Sequence, residues 1–560
     1  RLFTTENTTW QDYNKKLISK GGGVFERSAK SIELSEEAMQ ALGTTQNKFS
    51  PDALINTLLK APADLFWNGG IGTYVIASDE SHLDAQDKAN DSTRVKASEL
   101  RCQVIGEGGN LGMTQNSRIE FDLLGGHCYS DAIDNSAGVD SSDHEVNLKI
   151  LLSTLETTKR NQVLSSMESE VATLCLQNNY EQSAVISIHT QPNPENLAGQ
   201  AEAISYLEKA GLLDRELEFL PSKKELKSRL LSSKCLTKPE LGVLLAYSKM
   251  DFYQNLLDTN LSAGKGLYPH LLSYFPQLVA DEYSNLVDSH RLKNEIILTV
   301  VVNKIINIMG PVFHIRMHNL TGASYAQIGR AYLISAELLG VDDLLKAIHG
   351  LDNKITSRAQ YAAIRSLMKV VRANVVWLLN NKSNLDVSTT LNDYQNQYND
   401  VKDSVLKLNR KHLSIKIDKL VEQGLPRALA ENIALTTNLY HTLDVIAIAE
   451  KCQSSTDDAL SAYLNMSQDL DIRWLSLKIN ALEVTNAWHA SAKFKLQNQL
   501  RDVHTRITEV AIDLGSTTQF HQAYAANIER LQLMTQSIKE EEQIDFTTLH
   551  VIVGELEGIL

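Results

Sequence analysis

Cysteine is scarce in this sequence: Cys102, Cys128, Cys175, Cys235 and Cys452 are the only five in 560 residues. They are far apart, odd in number and form no C-x-x-C. That excludes a disulfide framework and a zinc site assembled from spacing, and it fits a reducing compartment. Long apolar runs are missing too. The most apolar stretch, Ile296 to Val302, lies between Glu295 and Lys304 and is far short of the roughly 20 residues of a membrane span. Positive charge is in deficit, with 54 Lys+Arg against 68 Asp+Glu and a formal net charge of -14. With no long Lys/Arg run, neither nucleic acid nor a membrane surface is expected as a partner. Fixed-period repeats, low-complexity tracts and long linkers are also lacking. What remains is a globular, cytoplasmic protein with an ordinary core, 43% apolar and 22% charged, long enough for roughly three or four domains.

Glycine is not scarce, but it is unevenly placed. Fourteen of the 28 glycines lie in the first 150 residues, clustered between short apolar runs. Asp64-Leu65-Phe66-Trp67 runs into Asn68-Gly69-Gly70-Ile71-Gly72, and Cys102-Gln103-Val104-Ile105 into Gly106-Glu107-Gly108-Gly109-Asn110. Such pairs read as buried strands of a parallel sheet whose C-terminal ends carry glycine loops, the end where open α/β sheets take ligands. After residue 150 the apolar spacing becomes helical, in stretches from about 162–180 to 473–535. Pro239 suits the first turn of a helix and Gly310-Pro311 the end of one. The polar segment 382–397 is the expected break between helical parts. The predicted organisation is therefore α/β over 1–150, helical over 151–382 and helical again over 383–560.

The stretch with the most chemistry is Asp134-Asn135-Ser136-Ala137-Gly138-Val139-Asp140-Ser141-Ser142-Asp143-His144-Glu145. Ser142 and Glu145 have the spacing of a capping box, so a helix is predicted to open at Ser142 after a small-residue turn. The free N–H groups of its first turn would favour a carboxylate or phosphate. The acids Asp131, Asp134, Asp140, Asp143 and Glu145 with His144 have no EF-hand register. They read as first-turn and surface groups, His144 among them, and no metal is expected. Glu107 is expected to brace its glycine loop by hydrogen bonds, and Trp377, Trp474 and Trp488 to sit in a core or an interface.

Asn135-Ser136-Ala137-Gly138 with Ser142 and Glu145 resembles the N-A-G-G-V-x-x-S-x-x-E segment of glutamate dehydrogenases. Gly106-Glu107-Gly108-Gly109-Asn110 resembles their A-E-G-A-N segment, and Asp64 to Gly70 stands in the place of another of their strands. The large bacterial NAD-specific members carry stretches similar to Leu17–Phe25, Arg27–Ile32, Gly69–Val75 and Asp131–Asp140, and in the helical part to Leu236–Leu241, Leu244–Lys249 and Leu320–Ser324. The resemblance implies a partial Rossmann-like segment, a doubly wound parallel sheet, followed by a large C-terminal helical region. It implies NAD as cofactor, L-glutamate and 2-oxoglutarate as substrate and product, and a homo-oligomer. It places Asn110 and Asn135 by the nicotinamide, Asn135 also by the substrate, and Ser142 on the substrate's side-chain carboxylate. Asn68, Gly69, Gly70 and Gly108 would let the backbone approach the cofactor. Ser136-Ala137 and Asp143-His144 depart from the shorter enzymes of the family.

A dinucleotide fold carries G-x-G-x-x-G at its first strand–helix turn. Here Leu111 and Val75 stand where the third glycine would be. The resemblance puts that fingerprint, the catalytic Lys and the catalytic Asp upstream of Arg1. The sequence is therefore expected to be one piece of a longer chain, with no catalytic residue of its own and no activity alone. Two other readings compete: a helical regulatory or oligomerisation module, and a dehydrogenase for another amino acid. The first reading requires Asn110, Asn135 and Ser142 on one cleft wall.

Overall fold

The computed structural model describes residues 2–192, 194–232, 234–541 and 543–560. Its strands are short and all lie before residue 108: β1 (Ile32–Glu33), β2 (Lys48–Phe49), β3 (Leu65–Asn68), β4 (Val75–Ile76), β5 (Val95–Lys96) and β6 (Val104–Glu107). They pair two by two. β1 runs antiparallel to β2 and β4 parallel to β5. β3 runs parallel to β6, with Leu65 opposite Val104 and Asn68 opposite Glu107. The two strands expected from the glycine clusters are thus neighbours, parallel, with their glycine loops at the same end.

Among the described residues each sheet has two strands, short of the expected doubly wound Rossmann sheet. The three pairs are separate, and isolated bridges run from Val75 of β4 to Met113 and from Val104 of β6 to His127. The crossover from β3 to β6 explains this. Besides β4 and β5 it holds only 3-10 turns, Lys88–Asn90 and Ala97–Glu99, where a sheet buried on both faces needs crossover helices. One face of the β3/β6 pair stays open, with Leu65, Trp67 and Val104 exposed. The other packs Ile105 with Val75, Val95, Met113, Phe121 and Cys128. Helix α1 (Glu36–Leu42) lies in the connection from β1 to β2, α2 (Pro51–Leu59) follows β2, and α3 (Gln115–Leu123) follows β6.

From residue 131 onward the chain is helical: α4 (Asp131–Asp134), α5 (Ser136–Leu151), α6 (Thr157–Ser166), α7 (Glu168–His189) and then helices to the C-terminus. Local signals set their ends. Thr237 and Glu240 form a reciprocal cap at the helix Lys238–Leu257, with Pro239 in its first turn, where the missing N–H costs nothing. The helix Tyr325–Leu339 closes on Gly340, which takes a left-handed conformation at φ 61°.

Burial of apolar side chains holds these helices together. One apolar core extends from Ile133 to Tyr463 and a second from Met466 to Ile559. The break expected over 382–397 shrinks to a few residues. Asp386 caps the helix Val387–Leu408, and Tyr394 and Tyr398 of that helix lie in the first core. Trp377 is buried there as expected, whereas Trp488 is exposed. The apolar run at Ile296–Val302 belongs to the helix Lys293–Met309, which packs into the first core. Among the described residues no single helix is long and apolar enough to cross a membrane. No disulfide joins the five cysteines among the described residues.

Candidate functional site

Three segments meet at the C-terminal end of the β3/β6 pair. The first is the turn after β3. The Asn68 carbonyl accepts a hydrogen bond from the Gly108 N–H at 2.8 Å, and its side-chain oxygen accepts from the Gly70 N–H at 3.3 Å. The second is the loop after β6, held to the first by Thr73 Oγ1 donating to the Leu111 carbonyl at 2.8 Å and by the Tyr74 N–H donating to the Gly112 carbonyl at 2.9 Å. The two loops touch back to back. A Cβ on Gly109 would collide with the Gly70 carbonyl oxygen, and one on Gly112 with the Asn68 side-chain nitrogen. The Trp67 indole lies across the same loop, 2.8 Å from a Cβ built on Gly106 and 2.5 Å from one on Gly108. Gly109→Ala is therefore expected to cost roughly 1–3 kcal/mol, since a backbone carbonyl cannot rotate aside as a side chain can. Thermal melts of the variant beside wild type measure it; an unchanged melting temperature would contradict this contact.

The third segment is α4 and the start of α5. A buried ionic network fastens it to the β6 loop. Glu107 is fully buried. Arg118, on α3, donates to both of its carboxylate oxygens, Nε to Oε1 at 2.6 Å and Nη2 to Oε2 at 2.9 Å. Arg118 also lies 3.2 Å from Asp131 Oδ1. The acids of α4 accept from the loop backbone, Asp134 from the Glu107 N–H at 2.9 Å and Asp131 from the Leu111 N–H at 2.8 Å. Glu107 thus braces its loop, as expected, through Arg118 and the Met113 N–H. Burial raises the Glu107 carboxyl above its ordinary value against the pull of Arg118. It also pushes Asp134 up to about 6, with Glu107 adding to the rise. Arg118 was not legible as part of the site. Its signal was an arginine among Ile119 and Phe121 on the buried side of α3, a place where arginine needs a partner.

These braces bring two of the expected residues into contact: the Asn135 side chain donates from Nδ2 to Asn110 Oδ1 at 2.9 Å. Asn135 stands at the N-terminus of α5, yet its side chain makes no capping bond there. Its amide is committed to the loop after β6 instead. Asn68 is buried beneath, and its side-chain nitrogen has no hydrogen-bond partner among the described residues. Gly69 and Gly70 are exposed, and a Cβ on Gly70 would meet nothing within 4 Å.

The expected capping box is corrected. α5 begins at Ser136, so Ser142 and Glu145 are interior positions and Ser142 caps nothing. Ser136-Ala137-Gly138 continue the chain from α4 as helix rather than as a turn, because the α5–α7 packing outweighs the roughly 1 kcal/mol cost of one glycine. Ser142 is exposed. It lies seven residues beyond Asn135, about 10 Å along the axis and within about 20° of the same side of the helix. His144, expected on the surface, is 2% exposed and stacks on Tyr274 with ring centroids 4.5 Å apart. The longer helix turns it inward, opposite Asn135 and Ser142.

The comparisons agree on one family. Residues 233–558 match the family model described as the C-terminal part of glutamate dehydrogenase, and residues 1–189 match that of the catalytic domain of bacterial NAD-glutamate dehydrogenase. Three proteins called NAD-specific glutamate dehydrogenase are similar. That of Pseudomonas aeruginosa is 38% identical over 89% of this chain and 32% of its own length. That of Halomonas elongata is 36% identical over 88% and 31%, and that of Mycobacterium tuberculosis 31% identical over 99% and 36%. The chain spans about a third of the length of these relatives. With the model matches running through both its strand-bearing and its helical parts, the chain belongs to the bacterial NAD-glutamate dehydrogenase family.

Proposed function

We propose that this chain serves the NAD-dependent oxidative deamination of L-glutamate to 2-oxoglutarate and ammonia, as one wall of the cleft. The observation that carries the reading is the Asn110–Asn135 contact at the C-terminal end of two parallel strands, the end where ligands sit in open α/β sheets. The paired amides keep a free donor and a free acceptor, which suits the carboxamide of a nicotinamide. The unpartnered Asn68 nitrogen and the open Gly69-Gly70 turn suit the close approach of a ribose, and Gly108 keeps the neighbouring backbone bare. NAD, when bound, supplies the hydride acceptor.

The residues of this chain orient and hold. Asn135 and Asn110 fix the plane in which the α-carbon hydrogen of glutamate leaves as hydride. The imine left on the substrate is then hydrolysed by water. Ser142, one heptad from Asn135 on the same side of α5, donates to the distal carboxylate of the substrate and so favours glutamate over an apolar amino acid. Correct placement of the reacting atoms is worth several kcal/mol of the barrier. A homo-oligomer in the cytoplasm, and a Rossmann-like sheet around the β3/β6 pair, belong to the same reading.

Steady-state kinetics of glutamate-dependent NAD reduction in the full-length enzyme test it. Asn135→Ala is expected to lower kcat/KM about 100-fold, equal to about 2.7 kcal/mol of transition-state stabilisation. Ser142→Ala is expected to raise the KM for glutamate about tenfold with kcat nearly kept. Wild-type kinetics in both variants would overturn the assignment.

A further inference from the structure

The inward side of α5 carries a second constellation, unrelated to the amides on its outer side. Asp140 and His144 are four residues apart, so they lie one turn above the other. Cys175 of α7 faces them. One donor atom from each lies within 4.8 Å of the other two, and His144 Nε2 is 3.7 Å from Asp140 Oδ1. The imidazole is buried, and neither of its nitrogens has a hydrogen-bond partner among the described residues. Stacking on Tyr274 satisfies the ring face and leaves both nitrogens unserved. Buried polar atoms are nearly always paired, so an unpaired imidazole between a carboxylate and a thiol calls for a ligand.

We propose that Asp140, His144 and Cys175 bind a divalent transition-metal ion, zinc by chemistry. Oxygen, nitrogen and sulfur donors together suit zinc, whereas calcium and magnesium take oxygen ligands. A carboxylate and a thiolate neutralise the two charges of the ion, as a buried site requires. In a tetrahedral zinc site the donors stand about 3.3–3.6 Å apart, so side-chain rotations of about 1 Å close the present cluster. The outer shell is partly set. Asn178 Nδ2 donates to Asp140 Oδ2 at 2.8 Å, which leaves Oδ1 turned to His144, the kind of support that orients ligating carboxylates. Cys175 also lines a cavity of about 660 Å³ with Ala137, Ser141, Glu145 and Leu148 of α5. Three protein ligands leave a fourth position, filled by water or a small anion that enters through this cavity. The ion would clamp α5 to α7 directly behind Asn135 and Ser142.

Cobalt and zinc titrations of the chelator-treated 560-residue chain test the proposal. One Co²⁺ per chain is expected, with a sulfur-to-cobalt charge-transfer band in the near ultraviolet that Cys175→Ser abolishes. Zinc affinity, read by competition with a chromophoric chelator, is expected to fall at least about 100-fold in His144→Gln and in Cys175→Ser, and about tenfold in Asn178→Ala as an outer-shell partner. Absence of the charge-transfer band, or equal zinc affinity in wild type and His144→Gln, would overturn it. Because a buried histidine variant can misfold, X-ray absorption of the zinc-loaded wild type gives an independent answer. One sulfur at about 2.3 Å with nitrogen and oxygen neighbours is expected, and a first shell without sulfur refutes the site.

Discussion

Arg118→Met is expected to destabilise the protein by about 3–5 kcal/mol, because it leaves the Glu107 carboxylate buried with no counter-charge. The two side chains share two hydrogen bonds in a region closed to water. Removing one partner strands the other, and only the Met113 N–H then remains to the carboxylate. Urea unfolding measures the loss. The double variant Glu107→Gln with Arg118→Met removes both charges and is expected to recover a large part of it, a coupling that an ordinary packing defect would not give. Equal stability of the single and double variants would show that the pair contributes only through shape. The same lesion should loosen the Asn110–Asn135 contact, since Asp131 holds Leu111, the neighbour of Asn110, while Arg118 holds Asp131.

An effect of similar size is expected at the junction of the two helical cores. Arg501 of the helix Ala487–Asp513 reaches into the first core, donating to Asp444 Oδ2 at 2.6 Å and to the Ala373 carbonyl at 3.2 Å. Burial acts against the Asp444 charge, yet Arg501 and His441 hold its carboxyl below the ordinary range. Arg501→Met is expected to cost about 3–5 kcal/mol by the same logic. It should also uncouple the melting of the Met466–Ile559 core from that of the rest, so calorimetry should resolve two transitions where wild type gives one. A single transition at the wild-type temperature would overturn this role.

The junction has a pH dependence of definite sign. Burial, with His441 adding to it, pushes His504 down to about 3, whereas an unfolded histidine titrates near 6.5. Between those values the unfolded chain binds a proton that the folded chain refuses. Stability present above about pH 6.5 is therefore lost as pH falls toward 3, at up to about 1.4 kcal/mol per unit. Melts of a His504→Phe variant over this range should show a shallower acid slope than wild type.

Sequence alone exposed the parts of the site that are dictated locally. The glycine clusters at 68–72 and 106–110 mark loops at the C-terminal ends of two parallel strands, and the structure places them there, where their backbones also touch each other. Asn110 and Asn135 were named, but their contact rests on a network through Arg118, Asp131 and Asp134 that no local spacing announces. The start of α5 was misread for a physical reason. Ser142 and Glu145 fit a capping box as well as Thr237 and Glu240 do, and only packing tells which pair terminates a helix. Once α5 starts at Ser136, the burial of His144 follows from 100° per residue. Long helices were legible from apolar period, but strands of two residues are too short to carry a pattern. Arg501 and Asp444, 57 residues apart in sequence, meet only through the tertiary fold.

The Arg118 network has one more consequence. It ties the turn after β3, the loop after β6 and the head of α5 into one plate, each tied to the next by hydrogen bonds. Loops that must be ordered by their ligand give up affinity to conformational entropy, about 0.5–1.5 kcal/mol for each mobile side chain fixed. Here that ordering was completed when the chain folded. Under the proposed function, a dinucleotide arriving at this wall would meet a surface already shaped, so its association should be fast and its binding entropy less unfavourable than for an enzyme whose glycine loops close over the ligand.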